Sequence, residues 1–110
     1  MKKDLNKNSH LSFSEQVYQL LLDVPKGKVT TYAALAHALD SRAYRAVGSA
    51  MAKNRLPLII PCHRVIKNNG EIGNYALGKK TKEKLLKLEG IRIKDGKVLD
   101  LEQVLFVFGK

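Results

Sequence analysis

Cysteine, acidic side chains and long apolar runs are scarce in this chain of 110 residues. The single cysteine excludes an internal disulfide framework and a zinc site built from several cysteines, and the histidines lack metal-ligand spacing. No run approaches the roughly 20 consecutive apolar residues of a membrane-spanning helix. The first residues also lack the apolar stretch of a signal peptide. We therefore expect a cytoplasmic protein that needs no membrane, metal or cofactor.

Basic side chains outnumber acidic ones, with 20 Lys and Arg against 10 Asp and Glu and a formal charge of +10. Such an excess on a small domain predicts attraction to a polyanion, nucleic acid first and an acidic membrane surface second. A lysine-rich surface that only contributes solubility is the alternative, and the charge alone does not separate the two. The apolar content of 45% fits one globular domain over residues 1–110, with residues 1–11 as a flexible polar arm.

The first helix is predicted to begin directly after this polar arm. Ser12 and Glu15 have the spacing of a capping box, in which each side chain accepts a hydrogen bond from the other residue's backbone amide. Apolar residues between Val17 and Val24 recur on one helical face. Residues 25–28, Pro-Lys-Gly-Lys, end this helix and turn the chain.

Two short helices separated by a tight break follow, in the order of a helix-turn-helix. Thr31 is placed to cap the first of them, which runs to Leu39, and the break falls at Asp40-Ser41. The second runs from about Arg42 to Lys53. Asn54 is expected to take the left-handed conformation that ends many helices.

The second helix of this pair has very little side-chain bulk. Its small residues are Ala43, Ala46, Gly48, Ser49, Ala50 and Ala52. Such a helix allows another backbone to come close, either a neighbouring element or a nucleic-acid strand, and periodicity does not separate these alternatives. Arg42 and Arg45 add a basic edge because they lie three residues apart on the same helix.

The second half of the chain is predicted to hold a core segment, a small hairpin and a basic helix. The run Leu56–Ile60 is apolar enough to thread the core. Residues 65–72 read as a small turn or hairpin, with Asn69-Gly70 at the turn. A basic amphipathic helix follows from Lys79 to Glu89, and the tail, residues 91–108, is expected to pack peripherally.

The single cysteine, Cys62, has neighbours that favour reactivity, although a lone cysteine is more often a small buried hydrophobe. Pro61 restricts the backbone directly before the thiol. His63 and Arg64 place cationic character nearby, which favours the thiolate. The sequence therefore marks Cys62 as a candidate nucleophile.

His63 is a candidate general base for this thiol, with a geometric restriction. Adjacent side chains in an extended segment point to opposite faces, so His63 must act from a turn or through a bridging water. A base of this kind also needs an acidic side chain to orient it. Glu71, Glu83 and Glu89 are the candidates, and spacing does not choose between them.

A set of motifs resembles the active-site domain of the O6-alkylguanine-DNA alkyltransferases over about residues 13–90. The motifs are Arg-Ala-Val-Gly-Ser-Ala-Met at 45–51, Asn54, Ile-Pro-Cys-His-Arg-Val at 60–65, Gly-Asn-Tyr at 73–75, Leu-Leu at 85–86 and Glu-Gly at 89–90. This resemblance implies a mainly α, winged-helix-like DNA-binding domain with a helix-turn-helix and a small β-hairpin wing. It also implies minor-groove binding and flipping of the damaged guanine.

The resemblance assigns roles to individual residues. Cys62 is similar to the family's alkyl acceptor, with His63 drawing off its proton through water and Glu89 orienting His63. Arg45 resembles the finger that fills the space of the flipped base, and Tyr32 the residue that rotates the nucleotide and protonates the leaving guanine. Ala46, Gly48 and Ser49 complete the implied DNA contacts, and Asn54, Val65, Tyr75, Ala76, Pro61 and Arg64 the implied pocket and its support.

The implied activity is irreversible transfer of an alkyl group from O6-alkylguanine, with O4-alkylthymine as a further substrate, to Cys62. Because the product is a thioether, each molecule reacts once. The implied partner is double-stranded DNA containing the lesion, bound by a monomer, with cooperative binding left open. The family usually carries an N-terminal domain, whereas about a dozen residues precede the first predicted helix here, and Ala76 stands where some members have a serine. The alternative is a non-catalytic alkyltransferase-like protein that flags lesions, although such proteins usually replace the acceptor cysteine with tryptophan.

Overall fold

Helices dominate the computed structural model of the chain, which describes residues 11–56 and 59–108. Of the expected polar arm, only Leu11 falls within the described part. The prediction of a mainly α domain is confirmed. The regular secondary structure of the described residues consists of five α-helices, a short 3-10 helix and two two-stranded sheets. None of the helices in these two ranges is long and apolar enough to span a membrane.

Helix α1, Phe13–Leu21, begins where its capping box predicts. The Ser12 hydroxyl accepts a hydrogen bond from the Glu15 amide at 3.1 Å, and the Glu15 carboxylate accepts one from the Ser12 amide at 2.9 Å. Val17 and Leu21 are fully buried on the inner face. The capping box and the apolar stripe thus agree on the same helix.

The predicted helix-turn-helix is present as α2, Tyr32–Ala38, and α3, Tyr44–Lys53. The Thr31 hydroxyl caps α2 by accepting a hydrogen bond from the Ala34 amide at 3.0 Å. The break between the helices contains Asp40 in a left-handed conformation at φ 55°. The capping signal and the break were both readable from the sequence.

Both ends of α3 differ from their predictions. The helix begins two residues after Arg42, because the Ser41 hydroxyl accepts from the Ala43 amide at 2.9 Å and Ala43 keeps a non-helical backbone. Asn54 is not left-handed, since its φ is −62° and its ψ is 118°. Its side chain bonds to the following loop instead.

A parallel strand pair connects the helix-turn-helix to the segment around the cysteine. Strand β1, Thr30–Thr31, pairs with strand β2, Val65–Ile66, and all four residues are buried. Helix α2 starts directly after β1, and the 3-10 helix Cys62–Arg64 ends directly before β2. Because the pairing is parallel, the start of α2 lies beside the turn after β2, where the Ala33 amide donates to Asn68 Oδ1 at 3.4 Å.

The β-hairpin lies farther along the chain than the sequence indicated. The segment after β2 does turn at Gly70, whose φ is 95°, but β2 itself pairs with β1 because both of its side chains are buried in the core. The antiparallel hairpin consists of β3, Ile93–Lys94, and β4, Lys97–Val98. Left-handed Asp95 and Gly96 form its turn.

Two apolar clusters hold these elements together. The first contains buried side chains of α1, α2 and α3 together with Cys62. The second joins β2, helix α4 at Lys79–Leu88 and the hairpin. After α5, Leu101–Val104, the tail returns to the first cluster, where the Phe106 and Phe108 rings lie 5.1 Å apart.

The apolar run before Cys62 does not thread the core, so this prediction was wrong. Leu56 is 52% exposed and Ile59 is 68% exposed. Asn54 holds the run at both ends, because its Oδ1 accepts from the Leu56 amide at 2.9 Å and its Nδ2 donates to the Ile60 carbonyl at 3.0 Å. Leu56 and Ile59 therefore lie at the surface, whereas Ile60 is half-buried against the first cluster. Residues 57–58 lie outside the described residues.

Candidate active site

The Cys62 thiol lies at the first position of the 3-10 helix and is only 4% exposed. Pro61 precedes it, and the Cys62 amide donates to the Ile60 carbonyl at 2.7 Å across the turn. The thiol belongs to the first apolar cluster, yet it also forms part of a cavity wall. A buried thiol of this kind reacts only with a group that enters the cavity.

The cavity has a volume of about 690 Å³, within the range of sites that hold small molecules. Its walls come from α2, α3, the turn after β2 and the loop before α4. The lining residues are Tyr32, Tyr44, Arg45, Gly48, Met51, Ala52, Cys62, Lys67, Asn68, Asn74, Tyr75 and Ala76. Within residues 11–56 and 59–108, no three His, Cys, Asp or Glu side chains are grouped to hold a metal ion.

Glu89, at the C-terminal end of α4, contacts both residues that follow Cys62. His63 Nε2 lies 2.9 Å from Glu89 Oε2. Arg64 donates to both oxygens of the carboxylate, at 2.9 and 2.8 Å, and to the Val24 carbonyl at 2.8 Å. Of the three carboxylates that the sequence left open, Glu89 reaches His63. The Arg64 guanidinium is directed at Glu89 rather than at the sulfur.

Burial and hydrogen bonding together set the charges of this group. Burial lowers the pKa of His63, although the hydrogen bond and the charge of Glu89 oppose it. Burial raises the pKa of Glu89, but hydrogen bonds from Arg64 and His63 outweigh it and hold that pKa below its ordinary value. Glu89 is therefore ionised and His63 neutral near neutral pH.

The tautomer of His63 follows from these contacts. Nε2 faces an ionised carboxylate, which only accepts, so we assign the ring hydrogen to Nε2. Nδ1 then carries a lone pair. This nitrogen is buried, and no hydrogen-bond partner for it lies among the described residues. His63 thus has one nitrogen held by Glu89 and one able to accept a proton.

Asn54 provides a hydrogen-bond donor to the sulfur. Its Nδ2 lies 3.2 Å from Cys62 Sγ, and the residue is only 7% exposed. A donor at this distance stabilises the thiolate more than the thiol, and shielding from water strengthens the interaction. The amide that holds the 54–60 loop also orients the nucleophile.

Two tyrosines of the cavity wall retain their protons. Burial raises the pKa of Tyr32 and of Tyr75, and the nearby Cys62 raises both further. The Tyr75 ring meets the His63 ring edge-on, with centroids 6.3 Å apart. At Gly73, with φ 77°, a Cβ would lie 3.8 Å from the Tyr32 hydroxyl. Both phenols are therefore protonated donors near the cavity.

Lys82 is a buried lysine that sequence analysis did not single out. It is 1% exposed, and its Nζ donates to the Val65 carbonyl at 2.6 Å and to the Asn74 carbonyl at 3.1 Å. Burial lowers its pKa to about 8. Its place four residues before Leu86, on the apolar face of α4, is the sequence signal that could have found it.

Residues 12–91 match the family model described as the DNA-binding domain of 6-O-methylguanine DNA methyltransferase. The chain belongs to this family. A methylated-DNA–protein-cysteine methyltransferase of Saccharolobus solfataricus is 49% identical over 81 residues, which cover 74% of this chain and 52% of that protein. The chain thus spans about half the length of the curated relatives it matches.

Two solved structures of similar proteins contain DNA. The OGT of Mycobacterium tuberculosis in complex with DNA is 38% identical and has a TM-score of 0.70, over 72% of this chain and 49% of that one. Atl1 of S. pombe, in complex with damaged DNA containing O6-carboxymethylguanine, is 28% identical with a TM-score of 0.76. That match covers 96% of this chain and 98% of Atl1.

Most residues expected to act in a family member surround the cavity or support it. Those in the wall are Tyr32, Arg45, Gly48, Cys62, Tyr75 and Ala76. Ala46 is half-buried and Ser49 exposed, and neither lines the cavity. Their contribution to DNA binding stays a prediction.

Several wall residues were absent from the predicted site. Helical spacing identifies three of them, since Tyr44, Met51 and Ala52 lie four residues before, three after and four after Gly48 on α3. Lys67, Asn68 and Asn74 reach the cavity from loops, where no periodicity exists to reveal them.

Proposed function

We propose that this chain repairs DNA by moving an alkyl group from O6 of guanine to the Cys62 sulfur. One observation carries the proposal: a buried thiol in a cavity wall, adjacent to a neutral His63 that Glu89 holds at 2.9 Å. The curated relatives are named methylated-DNA–protein-cysteine methyltransferases, which supports the same reaction.

The transfer is an in-line displacement at the alkyl carbon. A bond forms between Sγ and this carbon while the bond from the carbon to guanine O6 breaks, and the electron pair leaves with the oxygen. Asn54 Nδ2, 3.2 Å from Sγ, stabilises the attacking thiolate. The cavity excludes bulk water from the reacting atoms, which keeps the thiolate weakly solvated and nucleophilic.

The thiol proton passes to His63 Nδ1 through a water molecule. His63 can accept it because burial lowers its pKa and keeps it neutral, and Glu89 stabilises the imidazolium that forms. Tyr32, whose raised pKa keeps its phenol protonated, supplies the proton that the leaving guanine takes up. Guanine therefore leaves as a neutral base.

Helix α3 provides the contact with double-stranded DNA. Ala46, Gly48 and Ser49 have little bulk, which suits a minor groove only about 6 Å wide. Arg45 is exposed beside the cavity and fills the space left in the duplex when the guanine flips out. The formal charge of +10 supports phosphate binding. The Val65 carbonyl was also expected to read the guanine edge, but Val65 does not line the cavity and its carbonyl accepts from Lys82 Nζ at 2.6 Å.

The test is to incubate the protein with a duplex containing O6-methylguanine and to map the modified peptides by mass spectrometry. We expect one methyl group per protein molecule, on the peptide that contains Cys62, because a thioether is stable and each molecule reacts once. Cys62→Ser is the matched control and leaves the lesion intact. Lesion repair by the wild type with an unmodified Cys62 peptide contradicts the proposed reaction.

A second candidate is a lesion-binding protein that does not transfer the alkyl group. The match to Atl1, which extends over nearly the whole of both chains, is the observation that favours it. The retained Cys62 argues for transfer, since alkyltransferase-like proteins usually replace this residue. Tight, salt-sensitive binding to the O6-methylguanine duplex with Cys62 left unmodified would identify the second function.

A further inference from the structure

Tyr44 stands out on the face of α3 that borders the cavity. Gly48 and Ala52, four and eight residues farther along the helix, share this face, and their side chains add little bulk to it. Tyr44 is the first residue of the helix, directly before Arg45, and is 41% exposed. This helix face of small side chains therefore ends at one large aromatic ring that borders the cavity.

His37 holds this ring from the preceding helix. Its Nε2 lies 3.1 Å from the Tyr44 hydroxyl, and the two rings meet edge-on with centroids 5.9 Å apart. Both residues are exposed, so the contact contributes little to folding stability. It does restrict the rotamers of Tyr44, which lowers the entropy lost when the ring binds a partner.

We propose that Tyr44 stacks on the nucleotide next to the flipped guanine and that His37 is its positioning residue. This inference rests on the proposed function, in which α3 enters the minor groove and Arg45 fills the vacated space. Aromatic rings stack on any base, and large side chains inserted beside a kinked step are a common device of minor-groove proteins. Tyr44 and Arg45 would then stabilise the opened duplex from adjacent positions.

The ring is placed for DNA rather than for the chemical step. Burial and the nearby Cys62 raise the pKa of Tyr32 and of Tyr75, which places both of these phenols near the thiol. Tyr44 lies at the start of the helix with a large exposed surface. We therefore expect its removal to affect duplex DNA much more than a free base that enters the cavity alone.

The test compares alkyl transfer from an O6-methylguanine duplex with transfer from free O6-benzylguanine. Tyr44→Ala should slow the duplex reaction about tenfold, a typical loss for one base–aromatic stack, and slow the free-base reaction much less. Tyr44→Phe should retain most of the duplex rate because the ring remains. His37→Ala should slow the duplex reaction by a smaller factor than Tyr44→Ala does, and His37→Gln should react at close to the wild-type rate. Neither His37 substitution should change the duplex rate further in a Tyr44→Ala background.

Controls separate this inference from folding and from the proposed function. Leu88→Ala, which removes another exposed side chain, should leave both rates unchanged, and thermal unfolding should match the wild type in every variant. Equal slowing on both substrates, or a Tyr44→Phe loss as large as that of Tyr44→Ala, overturns the stacking proposal. If the wild type modifies neither substrate, alkyl transfer is refuted. Binding of the lesion duplex by Cys62→Ser with and without Tyr44→Ala then still decides the role of Tyr44, with a tenfold loss expected.

Discussion

Replacing Lys82 with methionine should change how stability depends on pH more than it changes stability at neutral pH. The Lys82 ammonium is buried at 1% exposure and donates to the carbonyls of Val65 and Asn74. Methionine is similar in length and apolar, so it fills the same space without a charge. The variant removes one titrating group and leaves two carbonyls without their donor.

The magnitude follows from the perturbed pKa. Burial lowers the pKa of Lys82 from 10.5 to about 8, with the nearby Cys62 opposing this shift and Lys79 adding to it. At about 1.4 kcal/mol for each pKa unit, the difference between the pKa of Lys82 in the unfolded and folded chain corresponds to about 3 kcal/mol of stability. The two carbonyls left unpaired cost about 1–3 kcal/mol each, an amount similar to the gain from removing a buried charge. At neutral pH the two effects therefore largely cancel.

The sign of the pH dependence is fixed by which state holds the proton. Between pH 8 and 10.5 the folded chain has lost the Lys82 proton while the unfolded chain still binds it. The free energy of unfolding therefore rises with pH across this window. A lysine whose folded-state pKa is lowered contributes least to stability at pH values below the window. The stability of the wild type relative to Lys82→Met should increase by about 3 kcal/mol across the window.

Denaturant unfolding at a series of pH values measures this difference. Titrating groups remote from Lys82 contribute equally in the two proteins, and their contributions cancel. The Lys82 charge also helps to lower the pKa of His63, but His63 titrates below the window of pH 8 to 10.5. Lys84→Met is the matched control, because Lys84 is exposed on the same helix and its replacement should keep the wild-type pH profile. Parallel profiles for the wild type and Lys82→Met would refute the reasoning.

Two further predictions concern the site itself. Glu89→Gln keeps the shape of the side chain but removes the charge that Arg64 and His63 contact. The free energy of unfolding at neutral pH should therefore fall by about 3 kcal/mol, and the rate of alkyl transfer should fall about 100-fold. Because the pKa of Glu89 is held below its ordinary value of 4.5, this stability difference should shrink as the pH falls through the acid range, and a constant difference in acid would count against it. Arg45→Ala should slow transfer from duplex DNA about 100-fold and slow transfer from free O6-benzylguanine far less, since only the duplex requires flipping. Equal losses on both substrates would remove Arg45 from the flipping step.

Local features of the fold were predictable because they depend on residues close in sequence. The capping box at Ser12, the Thr31 cap and the turn at Gly70 each involve contacts within a few positions, and each is present. The loop after α3 was not predictable from its apolar composition. Leu56 and Ile59 are exposed because the Asn54 side chain, which precedes the loop, fixes its course through hydrogen bonds with the Leu56 amide and the Ile60 carbonyl.

The sequence by itself indicated the family and marked Cys62 as the candidate nucleophile, because Cys62 and its neighbours form a contiguous motif within the matched residues. Only the tertiary structure decided which groups surround that thiol. The contact between His63 and Glu89 spans 26 positions, and the pairing of β1 with β2 sets Thr30 against Val65. Lys82 became a buried donor to Val65 in the same way. Apolar burial has no direction of its own, so these partners are determined only when all the elements pack together.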